Sequence, residues 1–170
     1  MKTEMDKLFL KAFERNKNRI YRICCSYSVG HENAQDLFQD VLLNIWKSLP
    51  NFNNKSSIDT WIFRITINVC LRFKEKQDRN NKLFKRIESV ELENFQEYLD
   101  SNKGDEQFKQ LFECIKLLNK SDKSIILLYL EDIAYRDIAE ITGLTENHIA
   151  VKIKRIKSNL LICLNSQKNG

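Results

Sequence analysis

Proline occurs once in the 170 residues and glycine four times, and no internal Asn-Gly or Asp-Gly pair is present. Tight hairpins lean on those dipeptides, so the chain carries little material for a sheet of short strands. The internal glycines, Gly30, Gly104 and Gly143, each stand beside a predicted helix boundary, and an all-α chain is the expectation. Histidine is equally scarce. His31 and His148 are the only two, and neither sits at ligand spacing from any cysteine. Cys24, Cys25, Cys70, Cys114 and Cys163 form no C-x-x-C pair, which argues against a metal site. Their odd number, without a disulfide framework, predicts buried free thiols in a reducing compartment. No apolar run reaches the ~20 residues that span a bilayer, and the polar stretch at residues 1–6 leads into an amphipathic segment. The expectation is a soluble intracellular protein without membrane insertion.

Charge is present in both signs but is unevenly placed. Residues 1–79 hold 14 Lys and Arg against 9 Asp and Glu, residues 80–119 hold 6 against 8, and residues 120–170 hold 8 against 6. Two basic ends thus flank an acidic middle, and the net +5 suits an anionic partner without identifying one. The organisation follows the same division: two small helical domains, 1–80 and 105–170, joined by a linker at 81–104 that has some helix-forming capacity of its own.

Phe9, Phe13, Ile20, Ile23, Cys24 and Tyr27 recur at helical intervals, predicting a helix or helix pair from about Asp6 to Ser28. A second helix carries Ala34, Leu37, Phe38, Val41, Leu42 and Ile45 on a broad apolar face that runs up to Trp46, Leu49 and the stop at Pro50. It leaves Asp36, Gln39, Asp40 and Asn44 polar. Asp36 and Asp40 are one turn apart and project side by side. Paired carboxylates raise acid chemistry or a metal, but no third ligand accompanies them; a contact surface for a basic partner and a plain solvated face both remain open. After a polar loop at 51–57, Ser56 and Asp59 form an S-x-x-D capping signal for a third helix. Ile58, Ile62, Ile65 and Val69 mark one face of it and Phe63 and Ile67 another, leaving Thr60, Arg64, Asn68 and Arg72 as a polar stripe. A helix this apolar is buried between neighbours or has a face to be covered by something else. Trp61 and Phe63 fit a core better than a base-stacking platform.

The last third holds Phe108 to Leu118, a break around residues 119–121, the apolar run 125–130, and then a helix-turn-helix candidate over residues 135–149. Ile138 and Ile141 face the core, Ala139 permits a close crossing, Gly143 supplies a positive φ, and Thr145 caps the next helix. Ile149, Ile153, Ile156 and Leu160 then share one face. Opposite them lie Asn147, Val151, Lys154 and Ser158, flanked by His148 and Arg155, the stripe that a major groove would meet. Lys152, Lys154, Arg155 and Lys157 make this helix basic, which suits phosphate contact, although a helix-turn-helix also serves as a plain packing corner.

Taken in order, these parts resemble a bacterial sigma factor of the sigma-70 family, in its extracytoplasmic-function group. Residues 32–46, with Asp36-Leu37-Phe38-Gln39-Asp40-Val41 at their centre, resemble the core-binding helix of region two. Trp61-Ile62-Phe63-Arg64-Ile65-Thr66-Ile67-Asn68 is similar to the W-L-[YF]-R-I-A-x-N signature of the helix that meets the minus-ten element. Leu118 onward, through Ile138-Ala139-Glu140 and Leu144-Thr145-Glu146, is similar to region four, the reader of the minus-thirty-five element. The pattern is departed from at Asn119-Lys120, where Pro-Glu is usual, at Ala134, where a capping Ser is usual, at Arg72, where Asp is common, and at residues 147–151, where Gly-Thr-Val-Lys-Ser is common.

The resemblance implies a subunit that binds RNA polymerase core and directs promoter-specific initiation, with no catalytic residue, metal or cofactor of its own. It implies core contact, through the beta and beta-prime subunits, at Asp36, Gln39, Asp40 and Asn44. Minus-ten DNA falls to Asn53, Asn54, Lys55, Arg64, Asn68 and Arg72, where amides can take a flipped base and guanidiniums a phosphate. Minus-thirty-five DNA falls to Thr145, Asn147, His148, Val151, Lys154, Arg155 and Lys157. Promoter DNA and an anti-sigma factor are the further partners it implies, and the bacterial cytoplasm the location. A stand-alone helix-turn-helix regulator is the alternative. It gives no reason for the Asp36/Gln39/Asp40 face or for the Trp61 to Asn68 signature.

Overall fold

The computed structural model describes residues 2–81 and 106–169, and every described element is helical. The chain divides into two compact units, residues 1–95 and 96–170. The expected linker lies outside the described residues, apart from Asn81 at the end of a helix.

The first unit packs α1 (Lys2–Tyr27), α2 (His31–Ser48) and α3 (Ile58–Asn81) against one another, with a single 3-10 turn at Leu49–Asn51. Of the expected helix or helix pair from about Asp6 to Ser28, the structure forms a single continuous helix, α1, which starts earlier, at Lys2. Its midpoint holds a fully buried Asn16, whose Nδ2 donates to the Ala12 carbonyl at 2.9 Å and to Asp59 Oδ1 at 2.6 Å, so the polar group does not break the helix. The Ser28 hydroxyl closes α1 by donating to the Cys24 carbonyl at 2.8 Å, and Gly30, at φ 86°, turns the chain into α2. Ile20, Ile23 and Cys24 of α1, Leu37, Val41 and Ile45 of α2, and Ile62, Phe63 and Cys70 of α3 form the core. Burial on several sides explains the nearly all-round apolarity of α3: it packs on both other helices.

Two local expectations shift. The cap of α3 is Ser57, not Ser56: its hydroxyl accepts the Thr60 N–H at 3.1 Å. Asp59 is thereby released from any capping box and turns to Arg15 and Asn16. Thr60 also leaves the expected polar stripe. It is 4% exposed, its hydroxyl 2.9 Å from that of Ser57.

The second unit contains α4 (Glu106–Lys116), α5 (Lys120–Leu130), α6 (Tyr135–Thr142) and α7 (Glu146–Lys168). Asn119 caps α5, its side chain accepting the Asp122 N–H at 2.9 Å, which replaces the Pro-Glu start that the sequence lacks. Ile125, Ile126 and Leu128 are buried. Ala134 gives α6 no side-chain cap, whereas Gly143 ends it in the left-handed region at φ 77°. Ile149, Ile153, Ile156 and Leu160 of α7 are the buried face, as their spacing predicts.

The cysteines require a correction. Cys24, Cys25 and Cys70 are buried free thiols, but Cys114 and Cys163 form a disulfide across α4 and α7. Their separation of 49 residues carries no sequence signal. Packing of α4 on α7 brings the two Cα atoms to 6.0 Å, within bridging range.

Candidate nucleic-acid interface

The helix-turn-helix of the second unit is built as its residues dictate. The Thr145 hydroxyl accepts the His148 N–H at 3.2 Å, so Thr145 holds the start of α7 while remaining exposed. Burying Ile149, Ile153 and Ile156 turns the opposite side outward: Asn147, His148, Val151, Lys154 and Ser158 are all exposed, and Val151 keeps 67% of its surface in water. An exposed valine between an amide and an ammonium has no packing role, and a groove presenting thymine methyls would cover it.

The cations of α7 are less uniform than their sequence. Arg155 Nη2 donates to both oxygens of Asp122, at 3.1 and 3.2 Å, and Lys152 Nζ reaches Asp122 Oδ1 at 3.3 Å. Lys157 Nζ lies 4.4 Å from the centre of the Tyr129 ring. Hydrogen bonding to the Tyr129 hydroxyl raises the Lys157 ammonium above the usual lysine pKa, and the group stays charged. Lys154 projects into water.

In the first unit the loop before α3 exposes Asn53, Asn54 and Lys55. Asn54 adopts φ 58°, a left-handed conformation that asparagine tolerates, and the Asn53 side chain accepts the Lys55 N–H at 3.3 Å. Phe52 is buried behind this loop, its ring centre 5.2 Å from that of Trp61, so both aromatics support the loop from below. Phe63 is core, with the Arg19 guanidinium 5.2 Å from its ring centre. Along α3, Arg64 is half-buried while Asn68 and Arg72 are exposed.

On α2 the residues Asp36, Gln39 and Asp40 are exposed, and Asn44 is half-buried with its Nδ2 donating to the Asp40 carbonyl at 2.8 Å and to Asp40 Oδ1 at 3.2 Å. Sequence periodicity missed Leu43 here. It is 55% exposed, and at 100° per residue it falls about 60° from Asp40 on the side of Gln39, inside the acidic face. Trp46, assigned to the apolar face, is 51% exposed and packs edge-on against Phe9 at 5.6 Å between ring centres. Among the described residues no three His, Cys, Asp or Glu side chains are grouped to hold a metal ion.

The two units match two parts of one family. The family model for Sigma-70 region 2 matches residues 12–80, and that for Sigma-70, region 4 matches residues 108–160. The chain belongs to the sigma-70 family of RNA polymerase sigma factors, in its extracytoplasmic-function group. RNA polymerase sigma factor SigV of Bacillus subtilis is 27% identical over 150 residues, spanning 87% of this chain and 86% of that protein. Sigma factor YlaC of the same organism is 26% identical over 133 residues, 76% of each chain. Among solved structures, the sigma factor RpoE in complex with the anti-sigma factor NepR from Bartonella quintana superposes with a TM-score of 0.67 at 20% identity, covering 92% of this chain and 96% of that one. CnrH in complex with the cytosolic domain of CnrY gives 0.64 at 18% identity, covering 93% and 88%. For this sigma factor, the region 2 match spans α2, the loop and α3, and the region 4 match spans the helix-turn-helix and the first two-thirds of α7.

Proposed function

We propose that this sigma factor divides promoter-specific initiation between its two units, with boundaries at residues 1–80, 81–104 and 105–170. Core polymerase, through its beta and beta-prime subunits, is bound by the α2 face: Asp36, Gln39, Asp40 and Asn44 offer charge and hydrogen bonds to a basic clamp, and Leu43 adds apolar area at the centre. The loop amides Asn53 and Asn54, with Lys55, take an unpaired base of the minus-ten element, and Arg64, Asn68 and Arg72 follow the strand along α3. On α7, Asn147, Val151 and Lys154 read bases of the minus-thirty-five element, while Thr145, His148, Arg155 and Lys157 lie beside the phosphates.

The observation that carries this reading is that one chain bears both region matches, each on its own folded unit. A stand-alone regulator needs only the second unit and has no use for the first. It is not favoured. Like its family, the protein acts through polymerase and is not itself an enzyme. An anti-sigma factor is proposed as a further partner because both superposed sigma factors were solved with a second protein, one named as an anti-sigma factor. The cytoplasm is proposed as its location, and no described helix is long and apolar enough to cross a membrane. Co-purification decides between the readings: the full chain should elute with core polymerase as one complex, whereas a regulator would elute apart from core and bind duplex DNA alone.

A further inference from the structure

Asp122 sits in the first turn of α5 with its side chain 5% exposed, and it is the point on which two cations of the recognition helix converge. Its Oδ1 accepts from Lys152 at 3.3 Å and from Arg155 at 3.1 Å; its Oδ2 accepts from Arg155 at 3.2 Å and from Asn119 Nδ2 at 3.1 Å. Lys152 Nζ also approaches the Ser121 hydroxyl at 3.4 Å. The two cations are held differently. Lys152 has 16% of its side chain exposed and is enclosed, whereas Arg155 has 55% exposed and stands at the edge, within reach of water on one side and of the carboxylate on the other.

To a guanidinium, a carboxylate and a DNA phosphate offer the same thing: two anionic oxygens spaced for parallel N–H donation. Arg155 therefore has two exclusive partners of one chemistry, the first inside the protein and the second on any duplex lying against α7. We propose that Asp122 is an intramolecular competitor of DNA phosphate for Arg155, and so sets how tightly the α7 surface holds duplex DNA of any sequence. The inference rests on the proposed reading of α7 as the DNA face. It assigns a function to a residue outside the groove-facing stripe. Base readout by Asn147, Val151 and Lys154 is untouched by it, so the carboxylate suppresses the sequence-independent contribution alone.

The test is the salt dependence of binding by the full chain to a short labelled duplex of random sequence. Asp122→Asn keeps the shape of the side chain and its backbone cap but removes the charge. The freed Arg155 should steepen the slope of log K against log salt by about 0.9 and tighten binding about five- to tenfold at 0.1 M salt. Arg155→Gln in the parent should lower the affinity by less than Asp122→Asn raises it, and in the Asp122→Asn background it should erase the gain. If Asp122→Asn binds no more tightly than the parent, including no binding by either, the competition does not exist. A loss of five- to tenfold in Arg155→Gln alone overturns it as well, since the arginine would already be on phosphate, and this arm needs no folded Asp122 variant. Lys154→Ala and Asn147→Ala test the underlying reading. If neither alters binding to any duplex, α7 is not the DNA face and both ideas fail; if Lys154→Ala weakens binding while Asp122→Asn changes nothing, only the competition fails.

Discussion

Arg15 Nη2 donates to both carboxylate oxygens of Asp59, at 2.7 and 2.8 Å, tying the middle of α1 to the first turn of α3. The buried Asn16 adds a third hydrogen bond at 2.6 Å. Asp59 follows directly on the loop that carries Asn53 and Asn54, so this network fixes where that loop ends. Because one of its donors is buried, Asp59→Ala should cost about 1–3 kcal/mol, more than an isolated surface ion pair. Thermal unfolding followed by circular dichroism checks it, and Arg15→Ala should cost clearly less. Equal melting temperatures for wild type and Asp59→Ala would show that the network contributes nothing.

Core binding should depend on the α2 face. Asp36→Ala combined with Asp40→Ala should weaken the complex with polymerase, commonly by ~2–5 kcal/mol where a desolvated charge pair loses one partner, while helical circular dichroism stays intact. Leu43→Ala should weaken it further through lost apolar contact. An unchanged dissociation constant in titration calorimetry or surface binding would remove this face from the interface.

Substituting the loop amides, Asn53→Ala with Asn54→Ala, should impair opening of the promoter but spare core binding, since base capture needs hydrogen-bonding groups held on a rigid frame. Permanganate reactivity of unpaired thymines reads the opening directly. Loss of both steps together would point to misfolding instead.

Asn147→Ala should relax sequence preference by about 1–3 kcal/mol at one position of the upstream element, because an amide can pair bidentately with adenine. Selection of upstream-element variants would reveal it. An unchanged selected sequence would mean that α7 docks on another side.

Reduction should loosen the second unit. The Cys114–Cys163 bridge closes a 49-residue separation, and its removal by reductant or Cys114→Ser is expected to cost about 2–4 kcal/mol. Thiol titration of the denatured, unreduced chain should count three free cysteines, Cys24, Cys25 and Cys70. A count of five would contradict the bridge.

What could be read in advance followed from periodicity and from turn chemistry. The face of α7 was legible because four apolar residues at helical spacing leave one outward side, and Gly143 and Thr145 marked the turn by their backbone and hydroxyl chemistry. The α2 carboxylates were legible for the same reason. What escaped depends on contacts distant in sequence. Asp122 and Arg155 lie 33 residues apart, Arg15 and Asp59 lie 44 apart, and Cys114 and Cys163 lie 49 apart. No local pattern encodes such a pairing. The cap of α3 was displaced by one residue because Ser56 and Ser57 are chemically alike, and only the Thr60 N–H selects between them. Leu43 escaped because the spacing placed it on neither the apolar nor the polar face, and only its 55% exposure puts it among the α2 carboxylates.

In the proposed function the two units together make polymerase promoter-specific. In vitro transcription with purified core enzyme on a library of promoters tests it most directly, because it requires core binding, opening and upstream reading in one assay. Transcripts should depend on adding this chain, come from templates sharing a minus-ten and a minus-thirty-five motif, and be lost with Asp36→Ala/Asp40→Ala. Transcription that is the same with and without the chain, or starts without any shared upstream motif, would contradict it.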